Sequence, residues 1–288
     1  MLYSKVEPNE KLTGDIDSYF IVKTNNSPVK IDTFFPNGKP AVVFHLGDPF
    51  SYWSTENKWT VMPKISFISC ATIPVTLRFG ANIDTLTVLF RPHSVYNFFG
   101  LKLLPSIDAI DGNKYISSDF FQTLQNIPSF EERVKLLNKY FLDRLSECDN
   151  EDNLLKKLCN NITSNKGIVE RKALAEQFNI SEGYIHKLFT KKLGISVKPF
   201  SQIVRISNIL EEIYREGKSD WFEILDKYGY FDQAHFIKDF KKVTGKTPCQ
   251  YYSMDKTLTP ILSGIEYKNR FPATNNQKPQ ETPPFKQL

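Results

Sequence analysis

Two groups of side chains in the carboxy-terminal half carry hydrogen-bonding chemistry of one kind. The first is Gly183, His186, Lys187, Thr190 and Lys191; the second is Gln233, Ala234, Ile237, Lys238 and Lys241. A glutamine can pair bidentately with adenine. A lysine can donate to guanine O6 and N7 or to a phosphate, and an exposed Ala or Ile can touch a thymine methyl. This is the chemistry of reading a duplex, not of breaking bonds. The chain shows no nucleophile–base set, no glycine-rich phosphate loop and no clustered metal ligands. His45 and His93 stand apart without a His-x-His pattern, so no metal is expected.

The elements that must position these groups occur twice. Leu174 to Ser181 is followed by Tyr184 to Gly194, and Ile224 to Asp232 by His235 to Gly245. Phe189 and Phe240 are equivalent, each with a glycine five residues on. Each unit reads as a short helix, a tight turn and a second helix, the layout that lays its second helix in a DNA groove. Ser181 and Asp232 are the expected N-caps. Ile185, Leu188 and Phe189 form the apolar face of the first recognition helix, and Phe236, Phe240 and Val243 that of the second. The lysines alone could be a solvated helix face. Cap, apolar spacing, Phe, paired lysines and Gly in the same order twice favour a recognition surface. Between the units Phe200, Ile203, Ser207, Leu210 and Tyr214 mark one stripe of a long helix from about Lys198 to Arg215, broken by Gly217 and Ser219.

Over residues 152–255 the chain resembles the AraC/XylS family of transcription regulators. The resemblance is carried by the run Gly229 to Lys242, by Thr244-Gly245-Lys246-Thr247-Pro248 and Tyr251, and by Leu174-Ala175, Ser181, Phe189, Gly194 and Arg205. It implies two helix-turn-helix subdomains joined by a long helix. It also implies groove-facing residues at Gly183, His186 and Lys187, then at Gln233, Ala234, Ile237 and Lys238. From the outward faces themselves, Lys191 and Lys241 complete the expected DNA-binding set, Lys191 as a phosphate contact. The chain departs from the family at Gly183, which has no side chain to read a base. It departs also at Val197, where a proline is usual, and at Leu225, which replaces an alanine.

The whole chain fits this frame. Its 288 residues are 41% hydrophobic and 24% charged, enough for two cored domains, and its formal charge is +5. Residues 151–256 hold 18 lysines and arginines against 14 acidic residues, so most of the excess lies in the half that would meet phosphates. Cys70, Cys148, Cys159 and Cys249 form no C-x-x-C pair and read as reduced thiols. Met1 to Lys11 is polar, and no apolar run approaches the roughly 20 residues that span a bilayer. Neither a signal peptide nor a membrane partner is expected, and the expected location is the cytoplasm.

The amino-terminal half reads as strands at Tyr19–Val22, Ala41–Leu46, Ser66–Cys70, Val75–Phe79 and Leu86–Phe90. A short helix over Val95–Gly100 and a longer one over Phe130–Leu145 follow. Arg91, before Pro92, would hold an anionic ligand or tie down a strand end. The expected architecture is therefore α+β and multidomain. A β-rich domain, a sandwich or cupin-like, with trailing helices fills 1–150 and senses a small molecule or dimerises. An all-α domain of two helix-turn-helix subdomains fills 151–256, with a boundary near Cys148–Asp152. A disordered tail fills 257–288. Double-stranded DNA is the expected partner, with a small-molecule effector, RNA polymerase and a second copy of the chain as further candidates. No cofactor and no enzyme activity are expected.

Overall fold

The computed structural model describes residues 2–103, 109–147, 153–216 and 221–252. The expected boundary at Cys148–Asp152, the break at Gly217 and Ser219, and the tail after Lys256 lie outside the described residues.

The amino-terminal half is built on two antiparallel sheets. The six-stranded sheet has the order β1 (Leu2–Val6), β2 (Ile16–Lys23), β9 (Asp84–Phe90), β4 (Ala41–His45), β7 (Ile65–Ile68) and β10 (Ile110–Asp111). The four-stranded sheet has the order β3 (Lys30–Phe34), β8 (Val75–Phe79), β5 (Ser51–Trp53) and β6 (Trp59–Val61). Period-two alternation decides what each face does. Phe20, Val22 and Leu89 from the large sheet meet Tyr52, Val75, Leu77 and Phe79 from the small one in a shared core. Tyr19, Ile21, Val42, Phe44, Val88 and Phe90 point the other way, against α1 (Ser94–Phe99), α2 (Ser118–Asn126) and α3 (Phe130–Glu147). Strands β2, β4 and β9 are buried on both faces, which is why their sequences are mostly apolar, with Ser18, Thr85 and Thr87 as buried polar exceptions. The arrangement is two facing sheets with helices behind one of them.

Two arginines fasten the helices, Arg133 buried and Arg144 half-buried. Arg133 on α3 donates Nε to the carbonyls of Leu124 (3.2 Å) and Ile127 (2.7 Å) at the end of α2, and pairs with Asp84 of β9 at 3.2 Å. Arg144 donates to the carbonyls of Phe98 (2.8 Å) and Tyr115 (3.0 Å). Arg91 pairs with Asp17 of β2 at 3.1 Å and donates to the Thr13 carbonyl, so its observed work is to tie β2 to the end of β9. His45 is buried with neither ring nitrogen hydrogen-bonded, and burial pushes its pKa down to about 4.

The carboxy-terminal half is helical: α4 (Asn153–Ser164), α5 (Arg171–Gln177), α6 (Glu182–Lys192), α7 (Val197–Glu216), α8 (Trp221–Lys227), α9 (Gln233–Thr244) and α10 (Pro248–Tyr252). Their apolar stripes meet in one core around Phe189, Phe200, Ile206, Phe236, Phe240 and Tyr251. Phe35 and Cys70 of the β-rich half belong to this same core. The two halves therefore share a seam. The Phe35 ring lies 5.2 Å from that of Tyr251, Ser207 donates to the Pro36 carbonyl at 3.2 Å, and Lys156 of α4 reaches Asp15 at 3.0 Å. No described helix is long and apolar enough to cross a membrane.

Candidate nucleic-acid interface

Both units close their turns the same way. In the first, the amides of Asn179 and Ile180 donate to the carbonyls of Glu176 and Ala175; in the second, those of Gly229 and Tyr230 donate to Asp226 and Leu225. Asn179 (φ 52°) and Gly229 (φ 63°) take the left-handed conformation that this helix ending requires. Ser181 then accepts from the Tyr184 amide at 3.1 Å, and Asp232 from the His235 amide at 2.7 Å, so each recognition helix starts on a side-chain cap.

Beyond the caps, Gly183, His186, Lys187, Thr190 and Lys191 are exposed on α6, with Ile185, Leu188 and Phe189 buried beneath. On α9, Gln233, Ala234, Lys238 and Lys241 are exposed above Phe236, Phe240 and Val243. Ile237 departs from the expectation. It is half-buried and packs against the helical core, so only part of it faces outward. Its place between Phe236 and Phe240 explains this: the apolar stripe of α9 is wide enough to take in its flank.

The paired lysines divide their work. Lys191 and Lys241 are exposed. Lys192 is buried with its ammonium 4.7 Å from the ring of Tyr96 in the other half, and Lys242 donates to Gln202 of α7 at 3.2 Å. In the first unit one lysine faces solvent and the other is buried; in the second both are exposed, and Lys242 braces α7 from the surface. All four also lie in the last turns of their helices, where a cation is favoured by the helix dipole.

A cleft of 480 Å³ separates the units. His186 of α6, His235 of α9 and Lys198, Gln202 and Arg205 of α7 line it, so both recognition helices border one concave surface. Asp239, buried in α9, accepts from Gln202 at 2.9 Å and lies 3.6 Å from His235. Arg205 donates to the Gly167 carbonyl at 3.1 Å and lies over the buried Tyr230 ring at 5.1 Å. Gly167, at φ 76°, leaves no room for a side chain: a Cβ there would stand 2.2 Å from the Ser201 carbonyl oxygen. Arg171 and Glu182 pair at 2.5 Å on the rim.

Sequence reasoning missed Lys198, Arg171 and Gln202, which come to the cleft from other elements. It also missed Phe231, the most exposed large apolar residue among those described, at 96%. Among the described residues no group of three or more His, Cys, Asp or Glu side chains is placed to hold a metal.

The geometry is that of a double helix-turn-helix domain. Residues 174–254 match the helix-turn-helix domain family, and residues 4–106 match a domain of unknown function, DUF6597. The Msm operon regulatory protein of Streptococcus mutans is 30% identical over 78 residues; the match spans 27% of this chain and only 28% of that relative's length. Among solved structures, wild-type ToxT of Vibrio cholerae bound to unsaturated fatty acid aligns with a TM-score of 0.50 at 10% identity, covering 85% of this chain and 96% of that one. That likeness speaks for the two-part fold alone. The carboxy-terminal domain is a helix-turn-helix domain of the AraC type.

Proposed function

We propose that the protein is a sequence-specific transcription regulator in which α6 and α9 read successive major-groove segments of one duplex. The observation that carries this is the pair of side-chain-capped helices, each with an exposed polar face over a buried apolar one; of the proposed readers His186 also lines the cleft between them. Gln233 and Lys238 are the proposed base readers of α9; Ala234 and the outer flank of Ile237 touch thymine methyls. His186 and Lys187 read from α6, where Gly183 adds no side chain, and Lys191 and Lys241 meet phosphates. The setting is the cytoplasm, with RNA polymerase as a further partner.

For the β-rich half we propose ligand sensing. A largely apolar cavity of 60 Å³ lies between the sheets, lined by Phe20, Ala41, Met62, Leu77 and Leu89, with Lys39 at its wall. Lys39 also lines a 150 Å³ cavity at the seam with Arg91, Asn160 and Ser207. Its ammonium pairs with Asp17 at 2.8 Å. An apolar acid fits this chemistry, and the fatty acid held by ToxT is of that class. A cavity of 60 Å³ holds few heavy atoms, so a longer ligand requires the sheets to part. A second reading, control by dimerisation or by a partner protein, replaces the ligand but not the DNA.

Binding of the full chain to a random duplex pool tests the DNA reading. Affinity should fall steeply with salt as counterions are released. Lys191→Ala should weaken binding evenly across sequences and lower the salt slope by about one. Gln233→Ala with Lys238→Ala should relax preference at the bases under α9, costing about 1–3 kcal/mol per lost contact. An absence of duplex binding at low salt would refute the reading.

A further inference from the structure

We infer that Phe231 is a base-contacting residue of the second unit, packing on a thymine methyl beside the bases read by α9; the inference rests on the DNA reading above. The argument begins with the two turns. Their hydrogen bonds match one for one: Glu176 with Asp226, Ala175 with Leu225, Asn179 with Gly229, Ile180 with Tyr230. After that they differ by one residue. In the first unit the cap Ser181 follows Ile180 directly. In the second, Phe231 is interposed between Tyr230 and the cap Asp232.

Folding does not account for the extra residue. Ile180 and Tyr230 both pack on the helical core, whereas Phe231 is 96% exposed. A single exposed apolar residue is ordinary on a protein surface. This one differs in how it is held. Tyr230 is buried with its ring 5.2 Å from Phe236, and the Asp232 carboxylate accepts from the His235 amide at 2.7 Å. Pinned on both sides, the turn carries Phe231 outward at the amino-terminal end of α9, beside exposed Gln233 and Ala234. The amino-terminal residues of a recognition helix are the ones that meet base edges. In the major groove only the thymine methyl offers an apolar edge to a phenyl ring. Binding would bury there an apolar area that folding leaves in water.

The experiment uses the full chain and its Phe231→Ala variant. Duplexes are selected from a random pool with each, and the wild-type site is then remade with uracil for each thymine in turn. The variant should fold as the wild type does, because the side chain is 96% exposed; a thermal melt checks this. The expected result is loss of one thymine from the selected site and an affinity drop of roughly five- to tenfold on the wild-type site, the low end of a single mismatch. Uracil at that position should weaken the wild type by a similar factor and leave the variant unchanged. An identical selected site and equal affinity overturn the inference. So does an affinity loss that is even across sequences and indifferent to uracil, which would place the ring on sugar or backbone. If the wild type enriches no sequence at all, the DNA reading fails and this inference fails with it.

Discussion

Replacing Asp15 by asparagine should cost this protein about 2 kcal/mol at neutral pH, because Asp15 is where the two halves exchange charge. Asp15 immediately precedes β2 and is buried. One carboxylate oxygen accepts from Ser94 at 3.1 Å and lies 3.2 Å from His93 Nε2, both at the start of α1. The other oxygen receives the Lys156 ammonium of α4 at 3.0 Å. Gly14 lies beside the pair: a Cβ there would stand 2.8 Å from that ammonium, which would have to shift. Burial alone would raise the pKa of Asp15. The hydrogen bonds from His93 and Lys156, with the attraction of Lys156, outweigh it and hold the carboxyl at about 2 against an ordinary 3.8.

A shift of that size is worth about 2.5 kcal/mol at 1.36 kcal/mol per unit. Its sign follows from the direction. A folded-state pKa below the unfolded one means the unfolded chain binds the proton more readily. The contribution is therefore complete above pH 3.8 and is lost as pH falls toward 2. Asp15→Asn keeps the shape and removes the charge, leaving Lys156 beside a neutral amide. Urea unfolding at pH 7 should show the loss. Lys156→Met in a double-mutant cycle should recover part of it, since the two residues act as one pair. A change below about 0.5 kcal/mol, the range of ordinary surface substitutions, would mean that the contact is not formed in solution and that the seam is looser than described.

Two further outcomes follow from single residues. His45 has a folded-state pKa of about 4 against 6.5, so stability should fall by up to roughly 3 kcal/mol between those pH values. His45→Leu should flatten urea midpoints across that window, and an unchanged pH slope in the variant would refute the assignment. Gly183 sits inside α6 with nothing within 4 Å of a would-be Cβ, so Gly183→Ala should raise stability by about 0.5 kcal/mol, read from the same midpoints; a destabilised variant would contradict the open surroundings.

Much of the helical half was legible in the sequence, for local reasons. N-caps, apolar spacing and left-handed endings are written within a few residues, and Ser181, Asp232 and the faces of α6 and α9 follow from them. The buried strands β2, β4 and β9 were legible because each carries a run of large apolar and β-branched residues. Strand β1 was not: Leu2–Val6 is an edge strand with no fully buried residue, and its Ser and Lys read as a polar lead. Strands β5 and β6 are three residues each, too short for alternation to register. The seam could not be read either. Nothing near Lys192 announces Tyr96, and nothing near Phe35 announces Tyr251, because both contacts are made by folding over long sequence distances. Phe231 was legible in principle, since aligning the two turns residue by residue exposes the insertion. Matching the units by Phe and Gly alone hides it.

The seam also constrains how a signal in the β-rich half could reach the cleft. Helix α7 has two duties. Phe200, Ile203 and Val204 on one side pack around Gly38, whose would-be Cβ lies 3.4 Å from Phe200. Lys198, Gln202 and Arg205 of the same helix line the cleft between the recognition helices. Lys39, next to Gly38, lines both the sheet cavity and the seam cavity. In the proposed reading, a ligand that draws Lys39 from Asp17 displaces the segment that bears on α7. Close-packed interiors do not absorb such a shift gradually; they move between discrete packings. On that reading the segment from Phe35 to Lys39 is the element that ligand and DNA would each bias. Linkage then requires DNA to change ligand affinity by the same factor that ligand changes DNA affinity.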